Sequence, residues 1–220
     1  MKRRPFRPVT GAAFLDGNTL ERKRAAASFN RLMKEAERLL SDDDPDWRCA
    51  VKWTVAHRQM TTAEKSELAR CGDQVRAFHM ERVPREIYRA VGIERMPRRP
   101  TTAWARPLVS GVRSWADTLS MPEAYCRSAE CVVFVCRSVG PCHIVVDGIG
   151  ARDWARDYRP EFMALIEGEE IDLFDHGEYV VRSTAPRLTG PEGVSGGVPL
   201  FGVDLATAAS GCPSRPRHRG

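Results

Sequence analysis

The sequence has no apolar run long enough to cross a lipid bilayer. Its first residues, MKRRPFRPVTGAAFLDG, also lack the continuous apolar stretch of a secretory signal peptide. We therefore expect no membrane partner and a cytoplasmic location, with delivery into another cell by a route without a cleaved signal left open.

The seven cysteines lack the close pairs, two to four residues apart, that structural zinc sites use. Four of them follow the spacing C-x4-C-x4-C-x5-C and precede His143. Two of these, Cys131 and Cys136, flank the apolar run VVFV and would lie on opposite faces of one strand. We expect buried, reduced thiols in a cytosolic setting and no metal, with a zinc site as the lesser alternative.

The chain also lacks the strong positive charge of a nucleic-acid-binding domain, because its net charge is only +5 over 220 residues. The basic residues gather near the termini, where solvated ends are the simplest interpretation. Nucleic acid is therefore an improbable partner, although a small basic nucleic-acid-binding protein stays an alternative. The terminal basic residues are Lys2, Arg3, Arg4, Arg7, Arg215, Arg217 and Arg219.

The first third of the chain is predicted to be helical. Apolar residues recur at three- and four-residue steps from Thr19 to Leu40, which indicates an amphipathic helix. A second helix is predicted over about Trp47 to Arg58, and a third begins at Thr61 or Thr62. Two glutamates are candidates to cap this third helix, Glu64 and Glu67.

From Pro84 onward the apolar pattern alternates, which indicates strands. IYRAVG, VSGVRSW, CVVFVC and CHIVVDG are predicted strands, and MALIEGEEIDLF with GEYVVRS is a predicted hairpin. RMPRRPTTAWARP and GARDWARDYRPEF are predicted connections, and a short helix is predicted from Met121 to Arg127. The Gly-, Pro- and Ser-rich residues after Arg182 are predicted to be a poorly ordered tail, with one possible edge strand over Val198 to Val203.

Three features of the β-rich part carry chemistry when they are taken in order. An arginine fork can bind two phosphate oxygens at once, and Arg89 lies in the first strand. A hydroxyl can orient a carboxylate, and Ser114 lies in the second strand. A carboxylate in a low-dielectric cleft stabilises a developing cation, and a glutamate cluster lies in EGEEIDLF. This set suits an enzyme that breaks the nicotinamide–ribose bond of NAD.

In this order the segment from about residue 84 to residue 183 resembles the Arg–Ser–Glu branch of the ADP-ribosyltransferase superfamily, which includes clostridial-type toxins and phage enzymes. IYRAVG resembles the arginine strand, RSWADTLSMPEAYCR the serine strand and its following helix, and EGEEIDLFDHGEYVV the strand with the Glu-x-Glu motif. The usual Ser-Thr-Ser is replaced by Ser114–Trp115–Ala116. The resemblance implies an α+β fold in which N-terminal helices precede a split, mainly antiparallel β core.

The resemblance also implies a role for each residue of the motifs, with NAD as the substrate. Arg89 would contact the NAD phosphate or ribose, and Ser114 would orient the catalytic glutamate. Glu169 would stabilise the cation left when nicotinamide departs. Glu167 would deprotonate or position the acceptor, and Glu170 is the alternative catalytic residue.

The implied function is NAD-dependent mono-ADP-ribosyl transfer to a side chain of an unidentified protein, with arginine as the favoured acceptor. A catalytically inactive binding module on the same fold is the main alternative. The implied organisation is a helical segment over residues 1–80, an ADP-ribosyltransferase-like domain over 81–183 and a tail over 184–220.

Overall fold

The structure is a computed structural model that describes residues 30–41, 44–45, 47–56, 60–76, 83–120, 126, 130–169, 171, 173–174 and 177–205. The chain forms two compact units, and the divisions fall between residues 80 and 81, 147 and 148, and 176 and 177. We call the first and third pieces together the helical unit, and the second and fourth pieces together the sheet unit.

Six α-helices lie in the described part of the chain. They are α1 (30–39), α2 (Trp47–Ala56), α3 (Thr62–Arg76), α4 (Thr102–Val109), α5 (Gly148–Tyr158) and α6 (Pro160–Gly168). The described strands are β1 (Ile87–Gly92), β2 (Gly111–Ala116), β3 (Cys131–Cys136), β4 (Ile144–Asp147), β5 (Glu178–Ser183), β6 (Arg187–Ser195) and β7 (Val198–Asp204). The α+β class expected from the sequence is confirmed.

The helical unit has an aromatic core. The ring of Trp47 stacks on Trp154 at a centroid distance of 5.5 Å and packs against Phe162 at 5.5 Å. At the edge of this core, Arg159 Nε donates to Asp44 Oδ2 over 2.9 Å. Burial alone would raise the pKa of Asp44, but hydrogen bonds from Arg159 and Ser41 lower it.

A reciprocal capping interaction opens α3, as the sequence predicts. The backbone N–H of Thr61 donates to Glu64 Oε2 over 2.7 Å, and the backbone N–H of Glu64 donates to Thr61 Oγ1 over 3.2 Å. This interaction satisfies N–H groups that have no partner within the helix. Glu64, and not Glu67, is therefore the capping residue.

The sheet unit contains a seven-stranded sheet in the order β4-β5-β2-β1-β3-β7-β6, in which β3 and β7 form the parallel pair. β1 registers with β3 at six residue pairs, and β2 registers with β5 at six. In contrast, β1 and β2 register at one pair, Tyr88 with Ala116. The ladder between β1 and β2 is therefore short within this continuous sheet, and we call the stretch beyond that pair, where the two strands no longer register, the split.

One face of this sheet carries the main hydrophobic core. Phe134, Trp115 and Tyr179 are all nearly inaccessible there, and α4 contributes Ala105 and Val109 to the same cluster. Trp104, on α4, packs against Phe134 at a centroid distance of 5.8 Å. We call this side of the sheet the core face.

Several sequence-based boundaries are wrong. The arginine-rich connection contains α4, which begins because the Thr101 hydroxyl accepts the N–H of Trp104 and because α4 can bury its apolar side on the core face. The connection after β4 is α5. The tail contains β6 and β7, and β7 lies inside the sheet between β3 and β6. Most of the helix predicted over Met121 to Arg127 lies outside the described residues.

The described helices include none that is both long enough and apolar enough to span a membrane.

Candidate functional site

Arg89 lies in the middle of β1, beside the split in the sheet. Its Nη1 donates to the backbone oxygen of Ser114 over 2.8 Å, and its Nε donates to the backbone oxygen of Leu108 over 3.1 Å. The first hydrogen bond connects β1 to β2 where their own ladder has ended. The second satisfies a carbonyl in the last turn of α4, where a positive charge is favourable. Arg89 therefore fixes the position of the serine strand.

Ser114 lies on the face of the sheet opposite to the core face, which we call the serine face. Because opposed residues of antiparallel strands share a face, Ser114 shares it with Val180 of β5. By alternation the serine face also carries Val112 and Ala116 of β2, and all three β2 residues are half-buried. Trp115, which replaces the threonine of the family pattern, is 2% exposed in the core face.

Two of the three glutamates predicted to be catalytic, Glu167 and Glu169, lie at the end of a helix, so the strand predicted over them is wrong. Glu167 lies in the last turn of α6, and Glu169 is the residue that ends this helix. Both belong to the helical unit, whereas Arg89 and Ser114 belong to the sheet unit. The remaining candidate, Glu170, lies outside the described residues.

The side chains of these two glutamates form exposed ion pairs within the helical unit. Glu167 pairs with Arg156 at 3.5 Å, and Glu169 pairs with Arg31 at 3.4 Å. Exposed pairs of this kind contribute about 0–1 kcal/mol to stability. The geometry gives both glutamates a solvated surface role.

The misassignment has a physical cause. The stretch MALIEGEEIDLF can be read with period two, but its buried residues follow the helical period. Phe162, Met163 and Ile166 are buried in α6, at steps of one and three residues. Pro160 at the start of the helix suits its first turn, where the missing N–H is not needed. The aromatic core of the helical unit then fixes this segment as a helix.

Sequence reasoning missed Glu178, which is the first residue of β5 and registers with Ala116 of β2. Glu178 therefore lies on the serine face, diagonally across from Ser114, at a separation that a glutamate side chain can bridge. Its side chain is half-buried. The available signal was GEYVV, in which a glutamate follows a turn glycine and opens an alternating strand. The sequence predicts this segment only as the second strand of a hairpin.

A second carboxyl group lies close to the start of β5. The backbone N–H of Asp117 donates to the backbone oxygen of Gly177 over 3.2 Å. Gly177 has φ of +72°, which favours glycine, and a Cβ at this position would displace the Asp117 carboxyl group. Burial raises the pKa of Asp117, and the nearby Asp147 raises it further. The carboxyl groups of Asp117 and Asp147 therefore lie near one another at this end of β2, β4 and β5.

Tyr88 also lies on the serine face, on the other side of Ala116 from Glu178. It registers with Ala116, so Tyr88, Ala116 and Glu178 extend across β1, β2 and β5 on the serine face. Ala116 is the smallest of the three and leaves room between the phenol ring and the carboxylate. Burial and a hydrogen bond to Glu86 raise the pKa of Tyr88 to about 12, so the phenol stays protonated at neutral pH.

Three of the described cysteines depart from the expected reduced state, whereas Cys136 is a buried thiol, as expected. Cys126 and Cys131 form a disulfide with their Cα atoms 5.4 Å apart, and Cys142 is also disulfide-bonded. Cys136 is a buried free thiol on the core face, so Cys131 and Cys136 do lie on opposite sides of β3. Because disulfides persist in oxidising surroundings, these bonds remove the cysteine argument for a reducing compartment. No group of three or more potential metal ligands occurs among the described residues.

Comparison of the chain with protein-family models, with curated proteins and with solved structures gives no match.

Proposed function

We propose that this protein is an NAD-dependent mono-ADP-ribosyltransferase that modifies a protein side chain, with Glu178 as its catalytic carboxylate. The observation that carries the proposal is the pairing of β2 with β5. It puts Ser114 and Glu178 on one half-buried face, beside the split between β1 and β2. The order arginine, serine, glutamate along the chain is kept, with the glutamate nine residues later than Glu169.

The chemistry follows from this arrangement. The bond between nicotinamide and the ribose C1 breaks, and its electron pair leaves with the nicotinamide nitrogen. The ribose acquires oxocarbenium character, which the Glu178 carboxylate stabilises at short range in a partly desolvated site. A nucleophilic side chain then forms the new bond to C1 and releases its proton to solvent or to a nearby base. Ser114 orients the carboxylate by a hydrogen bond, as a positioning residue.

In this proposal Arg89 has a structural role, which is to hold β2 in position. Its hydrogen bond to the Ser114 backbone oxygen holds β2 in position across the split, where few backbone bonds do so. The split, mainly antiparallel sheet supports an ADP-ribosyltransferase type of fold. Without Arg89 the serine face would lose the link that sets the separation of β1 and β2.

An arginine acceptor is supported by the charge around Glu178. The carboxyl group of Asp117, whose backbone N–H meets Gly177, lies at the same end of the sheet as Glu178, and negative charge there favours a cationic guanidinium. The family's argument for arginine depended on a glutamate two residues before the catalytic one. The residue two positions before Glu178 is His176, which lies outside the described residues. The acidic group at this end of the sheet is therefore the reason to favour an arginine acceptor in place of that glutamate.

The decisive experiment measures nicotinamide release from NAD by purified wild-type protein and by two matched variants. We expect Glu178→Gln to lower kcat by about 100- to 1,000-fold, the usual effect of losing one electrostatic stabiliser of a transition state. We expect Glu169→Gln to keep kcat within about twofold, because that side chain forms only an exposed ion pair. Thermal unfolding of both variants serves as the folding control.

Two results would contradict the proposal. Loss of activity in Glu169→Gln with normal activity in Glu178→Gln would return catalysis to the helical unit. A folded wild type that neither releases nicotinamide nor binds NAD would favour the inactive binding module. The motif departure that motivates this alternative is Ala116, because it removes a hydroxyl group from the serine face, whereas Trp115 lies in the core face.

A further inference from the structure

Arg182 occupies the far end of the serine face from Glu178. It lies four residues after Glu178 on β5 and registers with Val112 of β2, so alternation puts it on the same face as Ser114. Four strand residues separate the Cα atoms of Glu178 and Arg182 by about 14 Å. A carboxylate and a guanidinium therefore mark the two ends of one row, with the serine between them.

The side chain of Arg182 is exposed and forms no ion pair within the described residues. Two other arginines of the sheet unit have an evident structural task. Arg89 donates to two backbone oxygens, and Arg137 pairs with Glu86 and Glu192. The positive charge of Arg182 has no such contact among the described residues.

The residues of β2 and β1 between the two ends have small and partly accessible side chains. The β2 residues of the serine face are half-buried, as is Ala90 on the far side of the split. Val180 of β5 is fully buried, so the accessible path lies over β2 and the split and not over β5. An elongated ligand lying on β2 would meet Glu178 at one end and Arg182 at the other.

The charges at the two ends of this path are complementary to those at the two corresponding parts of NAD. The nicotinamide riboside end of NAD is cationic, and its diphosphate carries two negative charges several bonds away. We propose that Arg182 binds the diphosphate and thereby makes the site select the dinucleotide over nicotinamide riboside, which has no phosphate. This inference depends on the proposed function, and it reassigns to Arg182 the phosphate contact expected of Arg89.

The test compares steady-state hydrolysis of NAD and of nicotinamide riboside. For Arg182→Gln we expect KM for NAD to rise about tenfold with kcat within twofold, because charge-assisted hydrogen bonds to phosphate are lost. The riboside, which lacks the phosphates, should react with unchanged kcat/KM. Arg182→Lys should recover part of the NAD affinity, since it keeps the charge but not the fork. Arg187→Gln is the matched control, an exposed strand arginine without an ion pair in the described residues.

A purely structural role for Arg182 would impair both substrates equally, and this result would overturn the inference. An unchanged KM for NAD in an otherwise active Arg182→Gln protein would also overturn it, while leaving the proposed function intact. If wild type releases no nicotinamide from either substrate, the proposed function fails and the inference fails with it. Weaker binding of ADP-ribose to Arg182→Gln than to Arg187→Gln supports the inference independently of turnover.

Discussion

Glutamates at the end of α6 and at the start of β5 look alike in the sequence and differ in what surrounds them. Glu167 and Glu169 end a helix and meet arginines in exposed ion pairs. Glu178 opens a strand and lies beside a serine, a tyrosine and a split in the sheet. A carboxylate acquires its chemistry from the groups that the fold brings to it, and a cluster of acidic letters does not reveal them.

The two units also differ in how far apart the interacting residues lie in the chain. In the helical unit, α3 begins with a capping interaction between residues three apart. In the sheet unit, Arg89 reaches Leu108 and Ser114, and Ser114 faces Val180. Local signals therefore predict the first kind of contact well, and strand pairing decides the second.

The largest effects on stability should come from removing the central aromatic residue of each unit. Phe134→Ala in the sheet unit and Trp47→Ala in the helical unit should each lower the free energy of unfolding by about 3–5 kcal/mol. Both side chains are fully inaccessible. Amide hydrogen exchange should show faster opening of β1, β3 and β7 in the first variant and of α2 and α6 in the second.

Val194→Ala is the control for this pair, because Val194 is 68% exposed and should change stability by less than about 0.5 kcal/mol. Equal acceleration of exchange across both units in both variants would break the comparison, since the two units would then open together.

A smaller effect is expected at the start of α3. Thr61→Ala removes the hydroxyl group that accepts the N–H of Glu64, which should lower the free energy of unfolding by about 1 kcal/mol. Thr61→Ser keeps the hydroxyl group and should lose much less. Urea unfolding of the two variants measures the difference. Equal destabilisation by both substitutions would show that the cap is not what Thr61 contributes.

The smallest effect concerns the pH dependence of the same helix. A hydrogen bond from Lys52, aided by the Thr61 N–H, lowers the pKa of Glu64 from 4.5 to about 2. Because the folded pKa is the lower one, this contribution is present above pH 4.5 and disappears as the pH falls toward 2. Glu64→Gln should therefore unfold with a flatter dependence on pH in that window. The assignment would be refuted if the free energy of unfolding, from denaturant titrations at pH 6, 4 and 2.5, depended on pH as steeply in Glu64→Gln as in the wild type.

The sequence predicted the elements that depend on local patterns. IYRAVG alternates and CVVFVC is an apolar run of β-forming residues, and they form β1 and β3. The helices from Trp47 and from Thr62 begin where their signals lie. Arg89 and Ser114 were also found from the sequence, and they do occupy adjacent central strands. The helix α4 was missed because its arginine- and proline-rich sequence hides an apolar side that becomes visible only against Phe134 and Phe201.

The carboxylate of the site could not be chosen from the sequence, because two periods compete within MALIEGEEIDLF. Burial of Phe162 against Trp47 selects the helical period, and this moves Glu167 and Glu169 away from any strand. Once that segment is helical, GEYVV becomes the strand beside the serine. The register with Ala116 then puts Glu178 on the face of Ser114, which is the basis for proposing Glu178.

By itself the sequence determined the α+β class, the early helices and the strands that carry Arg89 and Ser114. These follow from the period of apolar residues and from capping groups, which act over a few residues. Only the tertiary structure decided which glutamate joins the serine, that Arg89 bonds to the serine strand, and that Arg182 shares its face. Strand pairing joins residues far apart in the chain, and a shift of one residue would move every side chain to the other face.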